Sequence, residues 1–339
     1  MLYIDNIISY IQKTGGVTVV FNELYKNKNF QRLNHQVAIY NNNTKKIKGI
    51  TYVYKQSRRL ERYRRCIIPK ATKLFHSTYY RRPNKKVPTI VTVHDFVYER
   101  FYYGLKKYIH YWQKSNAITK ADSIICISNS TKDDLYEFVG VRNEQKVYVI
   151  HNGVSEDFYP IKKRRDKKPY ILFVGNRRGY KNFKLALLAL NFIKDVNLYC
   201  IGGEELIDAD IKNVSDDIKK RVFRFTSVSN KELNKFYNSA ICLVYPSAYE
   251  GFGIPILEAM RAGCPVICID CKAVKEVGGD ALLIAESGDA KEIAELIELA
   301  LNSKRDSIIE RGLNQAKKYS WKKTHDKTIS IYKEMMANL

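Results

Sequence analysis

Two glutamates, Glu250 and Glu258, stand on either side of a glycine-rich turn in the second half of the chain. Glu250 follows an apolar run, and Glu258 lies about one turn into the helix expected to begin at Pro255. Two carboxylates placed in this way can accept hydrogen bonds from vicinal hydroxyls, which sugars and riboses offer in pairs. Gly251 and Gly253 let backbone N–H groups approach the same ligand. The pattern predicts a site for a polyhydroxylated molecule.

A second turn, from Gly175 to Asn182, supplies positive charge. It follows the apolar run 170–174, precedes a helix, and contains Arg177, Arg178 and Lys181. Basic side chains beside a helix N-terminus, at the mouth of a parallel sheet, form an anion site suited to a diphosphate. The glycine spacings of Walker ATPases and of dinucleotide-binding enzymes are absent from the sequence. We therefore predict a phosphate-bearing ligand and neither an ATPase nor a nicotinamide enzyme.

Two turns in the first half have a similar position. Gly15 and Gly16 follow the first apolar run and lead into a helix, so that backbone N–H groups can face an anion. His94 and Asp95 directly follow the run 89–93, which places an ionisable pair at the end of a strand. Polar turns that bind no ligand have the same composition. These two turns therefore indicate a ligand site only in combination with the other motifs.

Short apolar runs alternate with helical segments along both halves of the chain. Such runs separated by helices predict βαβ units and parallel sheets, so the predicted fold class is α/β with two doubly wound, Rossmann-like domains. Open α/β sheets bind ligands beyond the carboxyl ends of their strands, which is where all of these turns lie. The runs expected to be strands are 2–7, 89–93, 123–127, 147–150, 170–174, 196–201, 241–245, 265–269 and 281–285.

The positive charge is concentrated in the first half. The chain has 339 residues and a formal net charge of +23. Residues 1–168 contain 33 basic and 13 acidic side chains, whereas residues 169–339 contain 25 and 22. We predict four parts, of which this division and the charged stretch in the middle indicate the first three. They are an N-terminal domain over 1–160, a linker over 161–168, a C-terminal domain over 169–320, and a last helix over 321–339 that packs on the N-terminal domain.

The densest positive charge lies in residues 55–65, here called the basic segment. An aromatic-rich stretch, 98–112, follows it. Basic residues mixed with aromatic rings suit an anionic membrane surface, where each Lys or Arg contributes about 1 kcal/mol. Nucleic acid and a merely solvated basic face are the alternative interpretations. The arginines predicted to form this surface are Arg58, Arg59, Arg62, Arg64 and Arg65.

Other features of the sequence favour a cytoplasmic protein without a metal. No apolar run approaches the roughly 20 residues needed to span a bilayer, and Asp5 lies where a signal peptide would be basic and then apolar. The seven cysteines mostly lie in strand-like runs, which is typical of reduced core thiols. Asp208 and Asp210 have a metal-binding spacing within a polar surface segment, and Cys268 and Cys271 have no second pair to complete a zinc site.

In combination, these motifs resemble the retaining glycosyltransferases of family 4, whose GT-B fold has two Rossmann-like domains facing across a cleft. The motifs follow that family's order along nearly the whole chain. They are Gly15-Gly16, His94-Asp95, 127–130, 151–154, 173–175 with Lys181-Asn182, Glu250 to Glu258 within EGFGIPILEAM, 262–267, 276–281 and 319–321.

The resemblance implies a nucleotide-sugar donor held mainly by the C-terminal domain, with no metal or other cofactor. Arg178, or alternatively Arg177, and Lys181 would neutralise the diphosphate, a charge that other enzymes leave to a metal. Glu258 would bind the ribose, Glu250 the donor sugar, and His94 would lie near the transferred sugar. The implied donor-binding residues are Gly15, Gly16, Arg178, Lys181, Glu250, Gly251, Phe252, Gly253 and Glu258. The implied catalytic residues are His94, Asp95 and Glu250.

The resemblance also implies the reaction, while leaving the substrates open. Transfer would retain the anomeric configuration by a front-face route, in which the leaving phosphate takes the acceptor proton. Mannose is favoured because the turn at 94–96 looks like those of mannosyltransferases, and glucosyl, N-acetylglucosaminyl and deoxyhexosyl transfer are the alternatives. The expected acceptor is a glycan or a lipid-linked sugar in surface polysaccharide assembly, at the inner face of a membrane. A nucleic-acid-binding protein, the alternative from another class, leaves the glutamate pair unexplained.

Overall fold

A computed structural model of the chain describes residues 1–12, 15–40, 46–161, 168–177, 179–203, 214–302 and 304–337. These residues form two compact units. The first comprises residues 1–153 together with the last helix, which begins at Trp321, and the second comprises residues 154–320. Each unit is built on a parallel sheet with helical crossovers, which confirms the predicted α/β class.

The first unit contains a seven-stranded parallel sheet. Its strands are β1 (Leu2–Asp5), β2 (His35–Ile39), β3 (Tyr52–Tyr54), β4 (Leu74–Ser77), β5 (Thr89–Val93), β6 (Ser123–Cys126) and β7 (Lys146–Val149). Their order is β3-β2-β1-β4-β5-β6-β7, so the direction of winding changes beside β1. The helices between them are α1 (Ile8–Ile11), α2 (Gly16–Lys26), α3 (Lys28–Gln31), α4 (Val97–Phe101), α5 (Gly104–Thr119) and α6 (Asn129–Phe138).

The second unit contains a six-stranded parallel sheet. Its strands are β8 (Tyr170–Val174), β9 (Asn197–Ile201), β10 (Val222–Phe225), β11 (Leu243–Tyr245), β12 (Val266–Ile269) and β13 (Leu282–Ala285), in the order β10-β9-β8-β11-β12-β13. Its helices are α7 (Phe183–Ala189), α8 (Asp216–Lys220), α9 (Asn230–Ser239), α10 (Ile254–Arg261), α11 (Lys272–Gly278), α12 (Ala290–Leu301) and α13 (Arg305–Ala316). The winding changes between β8 and β11, and the turns after these two strands therefore flank a switch point.

The boundary between the units differs from the one predicted at residue 160. The contacts divide the chain between residues 153 and 154, because the next residues pack on the second unit. The Phe158 ring lies edge-on to Tyr237 at 5.8 Å. The amides of Tyr159 and Ile161 donate to asparagine side chains of α9 at 3.1 and 2.7 Å. Residues 162–167 of the predicted linker lie outside the described residues.

The last helix, α14 (Trp321–Ala337), belongs to the first unit. Its Tyr332 hydroxyl lies 2.6 Å from Nδ1 of the buried His76 in β4. Glu334 forms an ion pair with Lys146 of β7 at 2.6 Å. The chain therefore leaves the first unit after β7 and returns to it at its end. Within the described part of the chain, no helix has both the length and the apolar character that a membrane span requires.

Candidate active site

Lys181 and Glu250 form an ion pair at the carboxyl ends of two neighbouring strands of the second unit. Lys181 ends the turn after β8, and Glu250 lies in the turn after β11. The Lys181 Nζ donates to Glu250 Oε1 at 2.5 Å and to the Tyr245 hydroxyl at 3.2 Å. Only 12% and 11% of the two charged side chains are exposed. The Ala248 N–H donates to the Tyr180 carbonyl oxygen at 2.8 Å, so backbone contact also joins the turns.

This pair brings together two residues that the sequence predicted for one site. A cation and a carboxylate so sheltered from water attract each other more strongly than a surface pair does. The contact holds both side chains at the sheet edge, where the ends of β8 and β11 meet. The structure therefore presents a positioned cation and a positioned carboxylate side by side.

The glycine-rich turn after Glu250 leads directly into α10. Gly253, the residue before the helix, has φ +96°, a left-handed conformation that disfavours other residues. Phe252 is buried, with its ring edge-on to Tyr319 at 5.9 Å. Because the Phe252 side chain points into the unit, only its backbone can face a ligand. The turn thus supplies backbone groups and the N-terminus of α10, as the sequence predicted.

Glu258 has a different partner from Glu250. Its Oε2 accepts a hydrogen bond from the Tyr237 hydroxyl of α9 at 3.2 Å. Burial raises the pKa of the Glu258 carboxyl to about 7, and the Tyr237 hydrogen bond offsets part of that rise. Near neutral pH this carboxyl is therefore close to half protonated. A ligand that donates hydrogen bonds to Glu258 would favour its charged form.

Of the two arginines considered for the diphosphate, Arg177 is described, and Arg178 lies outside the described residues. The Arg177 Nη1 donates to the Gly202 carbonyl oxygen at 3.2 Å. Its guanidinium lies over the Phe183 ring, 5.8 Å from the ring centroid. Because Gly202 follows β9, Arg177 connects the carboxyl ends of β8 and β9.

His94 and Asp95 follow β5 in the first unit and have different environments. Burial, together with the nearby Lys114, lowers the pKa of His94 to about 3, so its imidazole is neutral at physiological pH. Within the described ranges, no group hydrogen-bonds its buried Nε2. Asp95 Oδ1 instead accepts a hydrogen bond from the Val97 N–H at 3.1 Å. His94 therefore has a buried nitrogen to offer a ligand, whereas Asp95 holds the first turn of α4.

A buried cation, Lys114 of α5, supports this turn. Its Nζ donates to the Asp95 carbonyl oxygen at 2.8 Å and to Glu99 Oε2 at 2.7 Å, and lies 4.3 Å from the Phe96 ring centroid. His110 Nδ1 lies 3.6 Å from Glu99 Oε1. Burial alone would raise the pKa of Glu99, but His110 and Lys114 outweigh it, and the pKa is lowered. No sequence pattern predicted this cluster, although His110 and Lys114 stand one helical turn apart.

Gly15 and Gly16 form the entry to α2. Gly15 has φ +155°, and a Cβ there would lie 1.9 Å from Nε2 of Gln12. Gly16 begins the helix, and within the described residues a Cβ there would meet no atom within 4 Å. Lys13 and Thr14, just before them, lie outside the described residues. The conformation of Gly15 thus explains one glycine, while the space beside Gly16 allows close approach of a ligand.

The five arginines of the basic segment do not share one environment. Arg58 Nε pairs with Glu61 Oε2 at 3.0 Å, and Glu61 is buried. The Arg62 guanidinium lies 5.0 Å from the centroids of two tyrosine rings, and the residue is half-buried. The exposed members are Arg58, Arg59, Arg64 and Arg65. The predicted surface is therefore formed by four exposed arginines and one that packs on aromatic rings.

Two family models together match almost the whole chain. Residues 3–158 match the model described as "Glycosyltransferase Family 4", and residues 155–316 match "Glycosyl transferases group 1". The chain belongs to glycosyltransferase family 4. It is therefore an enzyme that transfers a sugar, and this family retains the configuration of the anomeric carbon.

Two curated relatives of this family 4 glycosyltransferase are named as O-antigen chain mannosyltransferases. O-antigen chain mannosyltransferase B of Escherichia coli is 27% identical over 285 residues, which cover 77% of this chain and 74% of the relative. O-antigen chain mannosyltransferase RfbU of Salmonella typhimurium is 31% identical over 226 residues, which cover 65% of this chain and 62% of the relative. The chain thus spans less than two thirds of the second relative.

A solved structure gives the same fold over the full chain. Sucrose-phosphate synthase from Thermosynechococcus elongatus matches this glycosyltransferase with a TM-score of 0.83 and 16% identity, over 100% of this chain and 99% of that one. At this identity the likeness shows the fold, which is GT-B, with two Rossmann-like sheets. The predicted fold class is confirmed.

Metal-ligating residue types are dispersed in the described part of this glycosyltransferase. No group of three or more His, Cys, Asp or Glu side chains there could hold a metal ion. All seven cysteines are buried and outside disulfide bonds, including Cys268 and Cys271 of the CxxC pair. Asp208 and Asp210 lie outside the described residues.

Proposed function

We propose that this glycosyltransferase transfers mannose from GDP-mannose to a glycan or lipid-linked sugar during assembly of a surface polysaccharide. The observation that carries the proposal is the similarity to two relatives named as O-antigen chain mannosyltransferases. The acceptor follows from the same names, because an O-antigen chain is a surface glycan. The geometry at the ends of β8 and β11 supports the donor class.

We assign the diphosphate of the donor to Lys181. A phosphate oxygen at its Nζ would share the cation with Glu250, and the N-terminus of α10 adds further positive potential. Fixed cations and helix ends stabilise the departing diphosphate without a metal. The Glu250 carboxylate offers oxygens that only accept hydrogen bonds, so beside Lys181 it suits hydroxyls of the donor sugar. Glu258 then serves the ribose hydroxyls.

We assign His94 a positioning contact with the transferred sugar. Its low pKa keeps the imidazole neutral, so it can donate or accept one hydrogen bond but does not act as a cationic acid. The buried Nε2 is the atom available for that bond. The proton of the acceptor hydroxyl then passes to the leaving phosphate, and His94 and Asp95 form no covalent intermediate.

We predict that donor affinity falls at acidic pH because of Glu258. Ribose hydroxyls donate to the carboxylate, and a proton on Glu258 turns one of its two acceptor oxygens into a donor. With a pKa of about 7, the Kd of GDP-mannose should be about tenfold higher at pH 6 than at pH 8. Calorimetric titration measures this Kd directly. The diphosphate of the donor has no pKa between pH 6 and pH 8, so a change of Kd in this range reports on the protein. Glu258→Gln should bind more weakly at pH 8 and lose the dependence, and an unchanged slope in the variant would refute the role.

We propose that the first unit meets its acceptor at the anionic cytoplasmic face of a membrane. Support comes from charge, because residues 1–153, which form most of this unit, contain 27 basic side chains against 10 acidic ones. Positive side chains near an anionic leaflet are attracted within about one Debye length, roughly 10 Å at 0.1 M salt. This part of the proposal predicts binding that weakens as salt is added.

A donor screen tests the proposed sugar. Thermal unfolding with GDP-mannose, UDP-glucose, UDP-N-acetylglucosamine and a dTDP-sugar should show the largest rise in Tm with GDP-mannose, since a ligand at 100 times its Kd stabilises by about 2.7 kcal/mol. Transfer of radiolabelled mannose to membrane extract should follow. If only UDP-glucose stabilised the protein and supported transfer, the proposed donor sugar would be glucose instead of mannose. The assignment as a glycosyltransferase would still hold.

A further inference from the structure

Helix α5 of the first unit has its apolar stripe on the outside. The stripe consists of Leu105, Tyr108, Ile109 and Trp112, which follow the i, i+3, i+4, i+7 spacing of a single helix face. These side chains expose between 41% and 75% of their surface. A helix that packs only for stability turns such a stripe toward the core. The outward stripe therefore needs a partner other than the unit's own core.

The opposite face of α5 is buried and combines apolar residues with bonded polar ones, which holds the helix in this orientation. Lys114 is fully buried and bonded to Glu99 and to the Asp95 carbonyl oxygen. The His110 ring stacks on Tyr98 with 3.8 Å between centroids. A rotation that buried the stripe would expose apolar contacts and break these charged hydrogen bonds. Contacts within the first unit therefore hold α5 with its apolar stripe facing outward.

The surroundings of the stripe are positively charged. Residues 104–119 contain no acidic residue, and Lys106 and Lys107 lie in the first turn of the helix. Arg82 Nη1 donates to Asn116 Oδ1 at 2.9 Å, which places a guanidinium one helical turn beyond Trp112. Gln113 Nε2 donates to the Arg62 carbonyl oxygen at 2.6 Å, so α5 is bonded to the basic segment. The basic segment therefore packs against the helix that carries the apolar stripe.

We propose that α5 lies in the interfacial layer of an anionic bilayer, with its apolar stripe inserted among the lipids. Tyr and Trp have apolar rings with a polar edge, which suits the headgroup level, and Leu and Ile add apolar area below it. A second copy of the chain is disfavoured as the occupant because two such basic units repel each other. The inference deepens the proposed membrane encounter: charge attracts the first unit, and α5 anchors and orients it.

Fluorescence of Trp112 tests insertion. The chain has two tryptophans, and Trp321 is buried beside His325, so Trp321→Phe leaves Trp112 as the single exposed reporter. With vesicles of phosphatidylcholine and about one third phosphatidylglycerol, its emission should shift to the blue and be quenched by brominated acyl chains. An unshifted, unquenched emission from vesicle-bound protein would overturn the proposal.

Flotation of variants separates insertion from charge attraction. Leu105→Gln/Trp112→Gln should lower the bound fraction about tenfold or more at about 1 M salt, where charges are screened within about 3 Å. The matched control, Phe192→Gln/Leu301→Gln, removes two similarly exposed apolar side chains of the second unit and should bind as the parent does. Equal binding by the first pair, or its conversion of a dimer to a monomer in sedimentation, would overturn the proposal.

Charge reversal tests the proposed membrane attraction independently. Replacing Arg58, Arg59, Arg62, Arg64 and Arg65 by Glu should abolish flotation at low salt. If the reversed protein fails to float while Leu105→Gln/Trp112→Gln floats normally, charge attraction stands and insertion fails. The stripe variant should keep its Tm rise with GDP-mannose and its transfer to a water-soluble acceptor. A loss of either in the variant would contradict a purely membrane role for the stripe.

Discussion

Lys181→Ala is expected to lower kcat/KM for the nucleotide-sugar donor by about 10²–10³-fold, the effect of removing one positioned group that stabilises developing charge. Lys181 lies at the carboxyl ends of β8 and β11, where its Nζ donates hydrogen bonds to Glu250 and Tyr245. Its removal takes positive charge from the place assigned to the leaving diphosphate. It also leaves the sheltered Glu250 carboxylate without its ion-pair partner. The unpaired negative charge then repels a phosphate.

The affinities of nucleotides distinguish this role from a structural one. A nucleoside diphosphate should lose more affinity in Lys181→Ala than the corresponding nucleoside, since only the former offers phosphates to Nζ. Lys184→Ala is the matched control, because Lys184 lies three residues on in α7 with an exposed side chain. Thermal unfolding checks that the variant is folded. Donor turnover within a few-fold of the parent enzyme would remove Lys181 from the diphosphate site.

The contact between the two donor-side turns could be predicted from the sequence because of a property of parallel sheets. The carboxyl ends of neighbouring strands meet at one edge, so residues after two buried apolar runs become neighbours whatever their separation along the chain. Lys181 and Glu250, 69 positions apart, contact each other for this reason. Their strands β8 and β11 are buried in the middle of the sheet, and the sequences of such strands are continuous apolar runs.

Four of the described strands were not predicted from the sequence, and each of them lies at a sheet edge or contains polar residues. β3 is a short edge strand whose residues are partly or fully exposed, and β10 is an edge strand of the other sheet with little burial. β2 begins with the polar pair His35 and Gln36, and the buried β4 ends with the polar pair His76 and Ser77. Edge strands pack on fewer neighbours, so their composition is less constrained. The boundary at residue 160 was wrong for a related reason: the charged stretch after it drew the division away from Phe158, which packs in the second unit.

Buried charge was the other feature that sequence patterns could not reveal. Arginine and lysine are almost always exposed unless they are paired, so a basic run such as residues 55–65 predicts side chains that are exposed to solvent. The partners that decide burial lie far away in sequence: Arg81 contacts Asp5, and Lys114 contacts Glu99 on another helix. Such pairs become visible only once the topology has placed their elements together.

Arg81→Met is expected to destabilise the first unit by about 3–5 kcal/mol, because it breaks a buried charge cluster and leaves its carboxylates uncompensated. Only 1% of the Arg81 side chain is exposed. Its guanidinium donates to Asp5 Oδ1 at 3.2 Å, to the Tyr40 hydroxyl at 2.8 Å and to Glu61 Oε1 at 2.7 Å. Its Nε donates to the Arg64 carbonyl oxygen at 2.9 Å. Arg81 therefore ties the basic segment to the end of β1.

The pH dependence of this deficit identifies its cause. Burial raises the pKa of Asp5 while Arg81 lowers it, so the substitution raises that pKa further. A carboxyl whose folded pKa lies above its unfolded value destabilises the fold at high pH and ceases to do so as pH falls through the folded pKa. The deficit of Arg81→Met should therefore shrink on acidification. Urea unfolding followed by tryptophan fluorescence reports on this unit, because Trp112 and Trp321 both belong to it.

Two comparisons make the Arg81 result decisive. Lys85→Met removes an exposed cation of the same loop and should change the unfolding free energy by less than about 0.5 kcal/mol. Arg81→Lys keeps one charge but cannot reach both carboxylates as a planar fork does, so its deficit should fall between the two. Since the cluster also holds the Arg64 carbonyl, Arg81→Met should loosen the basic segment and speed amide hydrogen exchange there before the sheet unfolds. A deficit equal to that of Lys85→Met, or one independent of pH, would mean that water compensates the carboxylates and that Arg81 does not secure this surface.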